Sequence, residues 1–396
     1  MIKIRTKYGF TLFCSNLDDN FIENNMSRNN DRLHGLDHLR AVAIVLVLLF
    51  HYNFYYGVPE WLDTFSSFGW SGVDLFFVLS GYLIADKLFR GFDERGRIDF
   101  KGFYLNRFLR IIPAYLAVVA LYFSFPNLQE GRGLQPLWKF LTFTQNISID
   151  ISRNTFSHAW SLCVEEHFYL LLPILLHFIF LRKITHRAIY FFVAVAVVGV
   201  LIRYSIWEIF VASTYGRTRI TVAIKDIYYP TYTRLDGLLV GVAIASIFKY
   251  SPLFKEKMVK YGNGLLALSI ILLIAAYFLF GGTVVSLKFT SLTTTLFGSP
   301  LVSLAYGFMV IAAMSPNCIL SKYKFRPTAI LATLAYSIYL IHKITNHVVN
   351  TQLKYVLGLE SYLVFPVCLL AAILGALILH LFVEKPFLIL RNYLQR

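Results

Sequence analysis

Apolar runs of about 17 to 25 residues, the length a helix needs to cross a bilayer, recur along this chain and are broken by short polar segments. They fall near residues 39–56, 66–86, 108–125, 161–181, 188–211, 232–248, 263–281, 298–315, 329–350 and 361–383. The pattern predicts an all-α fold, a polytopic transmembrane helical bundle of about ten membrane spans. Residues 1–35 are polar and mixed in charge, without the apolar core and small-residue cleavage site of a secretory signal. They read as a cytoplasmic N-terminal lead-in, with Met26 as an alternative start. The transmembrane domain is expected over 36–390, followed by a tail at 391–396. Gly237 and Gly241 form a GxxxG pattern in the sixth run, a mark of close helix packing.

Composition agrees with a home in lipid. Of the 396 residues 57% are hydrophobic and 15% charged, and the mean hydropathy is +0.61; a soluble domain could not cover that much apolar surface. The formal charge of +15 does not gather on one soluble face as a nucleic-acid footprint would, so no nucleic-acid partner is expected. It separates instead by loop. Lys87, Arg90, Arg95, Arg97, Lys101 and Arg107 follow the second run, whereas the loop after the first carries no Lys or Arg. Arg182, Lys183 and Arg187, then Lys249, Lys255, Lys257 and Lys260, then Lys322, Lys324 and Arg326 keep the same parity. The positive-inside rule places these loops, and with an even span count both termini, in the cytoplasm. Arg132, Lys139 and Arg153 in the outer 126–160 loop weaken the pattern. Cys14, Cys163, Cys318 and Cys368 lie far apart without CxxC spacing, so neither a disulfide framework nor a metal site is signalled.

Ionisable residues inside apolar runs are costly and mark function or charge pairing. Arg40 and His51 share the first run, and 11 residues are about three helical turns, so they face one way, about 16 Å apart along the axis. Arg107 and Arg110, at i and i+3 where the third run begins, can clamp phosphates in a bidentate manner or simply anchor the helix. The segment from Ser157 to Tyr169 holds His158, Trp160, Ser161, Glu165, Glu166 and His167. A Glu there can orient an imidazole or polarise a hydroxyl, or pair with a membrane arginine such as Arg234. Asp74, and Arg234 taken with Asp236, raise the same choice between chemistry and mutual neutralisation. His342 in the ninth run suits a structural hydrogen bond or catalysis, and Glu384 a helix-end contact. Nucleotide-loop, HExxH, GxSxG and HxxxxD patterns are absent from the sequence.

Taken together and in order, LDHLRAVAIVLVLLFH (36–51), GVDLFFVLSGYLI (72–84), the Arg107 and Arg110 pair, WSLCVEEHFYLLLP (160–173), RLDGLLVG (234–241), YSIYLIH (336–342) and VEKPF (383–387) resemble the membrane-bound acyltransferase family 3. That family includes O-acetyltransferases of O-antigen, peptidoglycan and exopolysaccharide. The resemblance implies transfer of an acyl group, acetyl above all, from cytoplasmic acyl-CoA to a hydroxyl of a cell-surface or lipid-linked glycan such as lipopolysaccharide O-antigen. The setting is the bacterial inner membrane. Acetyl-CoA serves as co-substrate, with no resident cofactor and no metal. It further implies that His51 is catalytic, oriented by Glu166 or else Asp74, and that Arg107, Arg110 and Arg40 bind the donor. Trp160, Ser161, Glu165, Arg234, Asp236 and His342 then stand on the acceptor side or support the site. Some members carry a fused periplasmic hydrolase-like domain; this sequence ends at Arg396, so the expectation is action alone or with a separate periplasmic partner. The alternatives are a transporter or flippase of lipid-linked glycans or acyl groups, and an acyltransferase with a small-molecule acceptor.

Overall fold

A computed structural model describes residues 33–182, 188–281, 291–356, 358 and 361–395; the expected lead-in, apart from its last three residues, lies outside them. The described residues form helices and, among them, no strand. Ten principal helices follow in order: α1 His34–Tyr56, α2 Gly72–Arg95, α3 Phe100–Ser124, α4 Trp160–Leu181, α5 Ala188–Ile206, α6 Asp236–Tyr250, α7 Gly262–Leu279, α8 Ser299–Met314, α9 Arg326–Asn350 and α10 Ser361–Leu379. Backbone groups have no water to bond in hydrocarbon, so helices satisfy them internally.

Local signals stop and start these helices where the sequence supplies them. Gly96 closes α2 with φ +65°, a left-handed conformation that glycine adopts without a Cβ penalty. Three residues later the Asp99 side chain accepts from the Gly102 amide at 2.9 Å and caps α3, occupying a donor that a helix N-terminus leaves open.

Among the described residues nine helices are long and apolar enough to cross a membrane, or up to ten if one bent pair counts as a span. The bent pair corrects the expected span at 232–248. Its helix, α6, has 15 residues, starts only at Asp236, and turns through 114° into Pro252–Lys260. Arg234 and Asp236 shorten the apolar run at one end, and Pro252 cannot continue it at the other.

Interhelical contacts sort the helix ends onto two faces. On the first, Lys249 pairs with Asp93, Phe180 stacks on Phe92 at 4.1 Å, Asn263 Nδ2 donates to Asn317 O at 3.2 Å, and His38 Nε2 meets Tyr323 O at 2.8 Å. On the second, Arg203 Nη2 donates to Leu296 O at 3.5 Å, and Tyr52 packs on Phe365 at 4.8 Å. The start of α1, the ends of α2, α4, α6 and α8, and the starts of α7 and α9 thus share one face, and successive helices alternate in direction. The clustered Lys and Arg at 87–107, 249–260 and 322–326 lie on it.

The GxxxG glycines pack as expected. A Cβ on Gly241 would strike the Val78 carbonyl and Tyr82 amide, and one on Gly81 the Leu238 carbonyl, so α2 and α6 touch backbone to backbone. Val45, Leu171, Ile174, Val197, Ile271 and Ile378 face outward, an apolar surface suited to acyl chains. The chain is a multi-pass membrane protein.

Candidate active site

Two cavities lie end to end inside the bundle. The larger, about 620 Å³, opens on the first face and is lined there by Arg40, Lys87, Arg90, Arg95, Arg107 and Arg110. The smaller, about 130 Å³, lies toward the second face and is lined by His51, His158, Tyr55, Lys343 and an aromatic wall that includes Trp70, Trp160 and Tyr228. Val73 and Tyr339 line both and form the neck between them.

The cationic mouth is assembled from three helices. Arg107 and Arg110 project from the first turns of α3, one turn apart as their spacing requires. The Arg107 guanidinium lies over the Tyr169 ring at 4.9 Å. Tyr169 donates to Glu165 Oε2 at 2.6 Å, and Ser80 donates to Oε1 at 3.3 Å, so Glu165 is held at the floor of the larger cavity. Arg40 pairs with Asp37 at 3.3 Å and still lines the cavity. A guanidinium cluster of this kind matches phosphates in geometry and charge.

At the far end, hydrogen-bond roles are assigned by what each partner can do. His342 Nδ1 faces the carbonyls of Tyr339 at 2.8 Å and Ile338 at 3.1 Å, so it carries the hydrogen and Nε2 carries the lone pair. His51 Nδ1 sits 3.1 Å from that lone pair and 3.1 Å from the Val47 carbonyl, so it donates. The remaining nitrogen of His51, Nε2, is then a lone pair on a residue that lines the smaller cavity. His158 packs its ring 5.7 Å from His51 and 4.8 Å from His342, and among the described residues neither of its buried ring nitrogens finds a hydrogen-bond partner. Tyr339 donates to the His158 carbonyl and accepts from Ser161 Oγ at 2.6 Å, which fixes the neck. Among the described residues no group of His, Cys, Asp and Glu converges for a metal; the facing nitrogens of His51 and His342 share a hydrogen.

Several expected residues lie elsewhere. Glu166 makes no hydrogen bond or ion pair among the described residues and lines neither cavity; the side chain within hydrogen-bond distance of the His51 imidazole is His342. Asp74 accepts both its hydrogen bonds from Arg234 Nη2, at 2.9 and 3.1 Å. Arg234 also bonds Ser299 and lies beneath Trp160 and Tyr228 at 5.5 and 4.9 Å. Asp236 does not pair with Arg234; Arg203 of α5 takes it at 2.6 and 3.2 Å. Arg234 precedes α6 and Asp236 is its first residue, and each turns to a different helix, α2 for Arg234 and α5 for Asp236. Glu384 joins His380 at 2.8 Å and Ser337 at 2.7 Å. Sequence reasoning passed over Lys343, Glu130 and Tyr55, which surround the smaller cavity or brace it.

The fold and the site define a class: multi-pass membrane proteins whose helical bundle holds a cation-lined cavity opening on one face and a histidine-lined cavity beyond it. The family model described as an acyltransferase domain matches residues 33–381, and the chain belongs to that family. It is 27% identical over 376 residues to Staphylococcus aureus proteins of strains COL and MSSA476, whose names assign them provisionally as O-acetyltransferases. It is also 27% identical over 372 residues to the O-acetyltransferase OatA of strain NCTC 8325 / PS 47. Each match covers 89% of this chain but 57% of the relative, so the chain spans little more than half the length of the curated relatives it matches. No solved structure matches.

Proposed function

We propose that the chain is an O-acyltransferase of the cytoplasmic membrane that moves an acetyl group from acetyl-CoA to a hydroxyl of a cell-surface or lipid-linked glycan. The observation that carries this reading is the meeting of the two cavities at Val73 and Tyr339. A phosphate-bearing donor can enter at the arginines while its thioester reaches toward His51. With the lysine- and arginine-rich face in the cytoplasm, the donor enters from the metabolic side and the glycan from the opposite one. Arg107, Arg110 and Arg40 hold the coenzyme phosphates. His51 Nε2 takes the proton of the acceptor hydroxyl as that oxygen attacks the thioester, and returns it to the departing thiolate. His342 holds the imidazole with Nε2 toward the acceptor.

The test uses purified full-length protein, radiolabelled acetyl-CoA, and surface glycan extracted from a strain lacking the gene. Alkali-labile label on the glycan is expected with wild type and not with His51→Ala. Equal labelling with both would end the assignment of His51, and none with wild type would end the acyl-transfer reading.

A further inference from the structure

The acyl-transfer reading leaves one polar cluster beside the imidazoles unused. Lys343 follows His342 on α9, and Tyr55 stands four residues beyond His51 on α1, one helical turn on and on the same face. The helices that hold the imidazole pair therefore carry this pair too. The Lys343 ammonium is 3% exposed and donates to the Tyr55 hydroxyl at 3.1 Å and to Ser157 Oγ at 3.3 Å. Glu130 Oε1, 3.5 Å from Nζ, balances the charge and is fixed by the Phe156 amide at 3.0 Å.

An ammonium has only hydrogens to give, so the Tyr55 oxygen accepts from Lys343 and keeps its own hydrogen to donate. Among the described residues nothing accepts that hydrogen, and Tyr55 lines the same 130 Å³ cavity as His51. Burying an ammonium with its counter-carboxylate inside a bundle is costly. An apolar side chain would brace α9 at less expense, so a chemical role is the reason to keep it.

We infer that Tyr55, polarised by Lys343, donates its O–H to the thioester carbonyl oxygen as that oxygen becomes an oxyanion, with His51 acting one helical turn away. This rests on the acyl-transfer reading. The acceptor oxygen bonds to the carbonyl carbon, its proton goes to His51 Nε2, and the carbonyl π pair moves onto the oxygen facing Tyr55. The tetrahedral centre then expels the coenzyme thiolate, which takes the proton from His51, leaving an ester and a free thiol. Lys343 is a positioning residue that acts through the Tyr55 hydroxyl.

Tyr55→Phe removes one oxygen and leaves Lys343 with Ser157 and Glu130, so folding is preserved. With the donor and extracted glycan used above, turnover of Tyr55→Phe falls by about 10² to 10³-fold, the loss typical of one oxyanion donor, while the donor KM stays within about twofold. Lys343→Arg, which keeps the charge but shifts the donors, lowers turnover without changing KM or thermal unfolding. Tyr55→Phe turnover within about threefold of wild type, or a loss confined to KM, overturns the inference while leaving acyl transfer intact. A wild-type protein that labels no glycan overturns both.

Discussion

Replacing His342 by Leu tests whether a neighbouring imidazole, and not a carboxylate, tunes the base. In the resting protein the change removes one of two acceptors for the His51 Nδ1 hydrogen and leaves the Val47 carbonyl at 3.1 Å. A neutral bond of that kind is worth about 0.5 to 1.5 kcal/mol. When His51 takes the acceptor's proton, the same N–H becomes part of an imidazolium, and a charge-assisted bond is worth about 1.5 to 3 kcal/mol. The ground state loses the weaker bond too, so turnover should fall by the difference, about 1 to 1.5 kcal/mol or roughly 5- to 13-fold, with donor KM unchanged because the contact lies beyond the neck from the arginines. The Tyr339 and Ile338 carbonyls that His342 touches lie within α9, where the helix ladder already engages them, so the variant should fold. His342→Gln keeps an acceptor oxygen and should fall between the two. Glu166→Gln, measured beside them, should stay near wild type, because its carboxylate does not reach the imidazole. The assay is initial rate of label transfer from acetyl-CoA to extracted glycan. His342→Leu turning over within about twofold of wild type, with His51→Ala inactive, would refute the tautomer argument.

Arg110→Gln should weaken coenzyme A binding by about ten- to hundredfold in a titration, and Arg110→Lys should recover only part of it, since an ammonium keeps charge but loses the planar fork. Asp74→Ala strands the Arg234 guanidinium and should destabilise the bundle by about 3 to 5 kcal/mol, while Asp74→Leu combined with Arg234→Met should recover much of the loss; unfolding in detergent measures both. Reporter fusions at residues 60 and 130 should read outside and those at 95 and 255 inside, and any pair reading together across that division would break the alternation.

Much of the fold was legible because lipid demands long apolar runs, and among the described residues nine such runs are helices long and apolar enough to span. The exception, α6, shows the limit of counting. Its apolar run was padded at the front by 232–235, residues that the structure places before the helix, and its polar start is tolerated because Arg203 and Asp74 receive it. The same-face relation of Arg40 and His51 followed from helical periodicity, and the first lines the larger cavity while the second lines the smaller. Hydrogen-bond partners did not follow. His342 and His51 are 291 residues apart, and no pattern within either helix indicates that they meet. Glu130 lies in an irregular loop without periodicity, so its approach to Lys343 had no local signal.

The two crossed ion pairs also bear on how the protein is made. Asp74 leaves the ribosome 160 residues before Arg234, and Arg203 leaves 33 before Asp236. Until α6 emerges, α2 and α5 each hold an uncompensated charge that costs about 2.5 to 3.5 kcal/mol when a single helix partitions from the translocon. Helix α6, 15 residues long with a charge at its first position, is poorly suited to enter lipid unaided. Both earlier helices thus remain incomplete until it inserts, and its arrival neutralises two deficits at once. A nascent chain interrupted before residue 234 would expose both charges to the lipid, a feature by which membrane quality control could distinguish unfinished copies from finished ones.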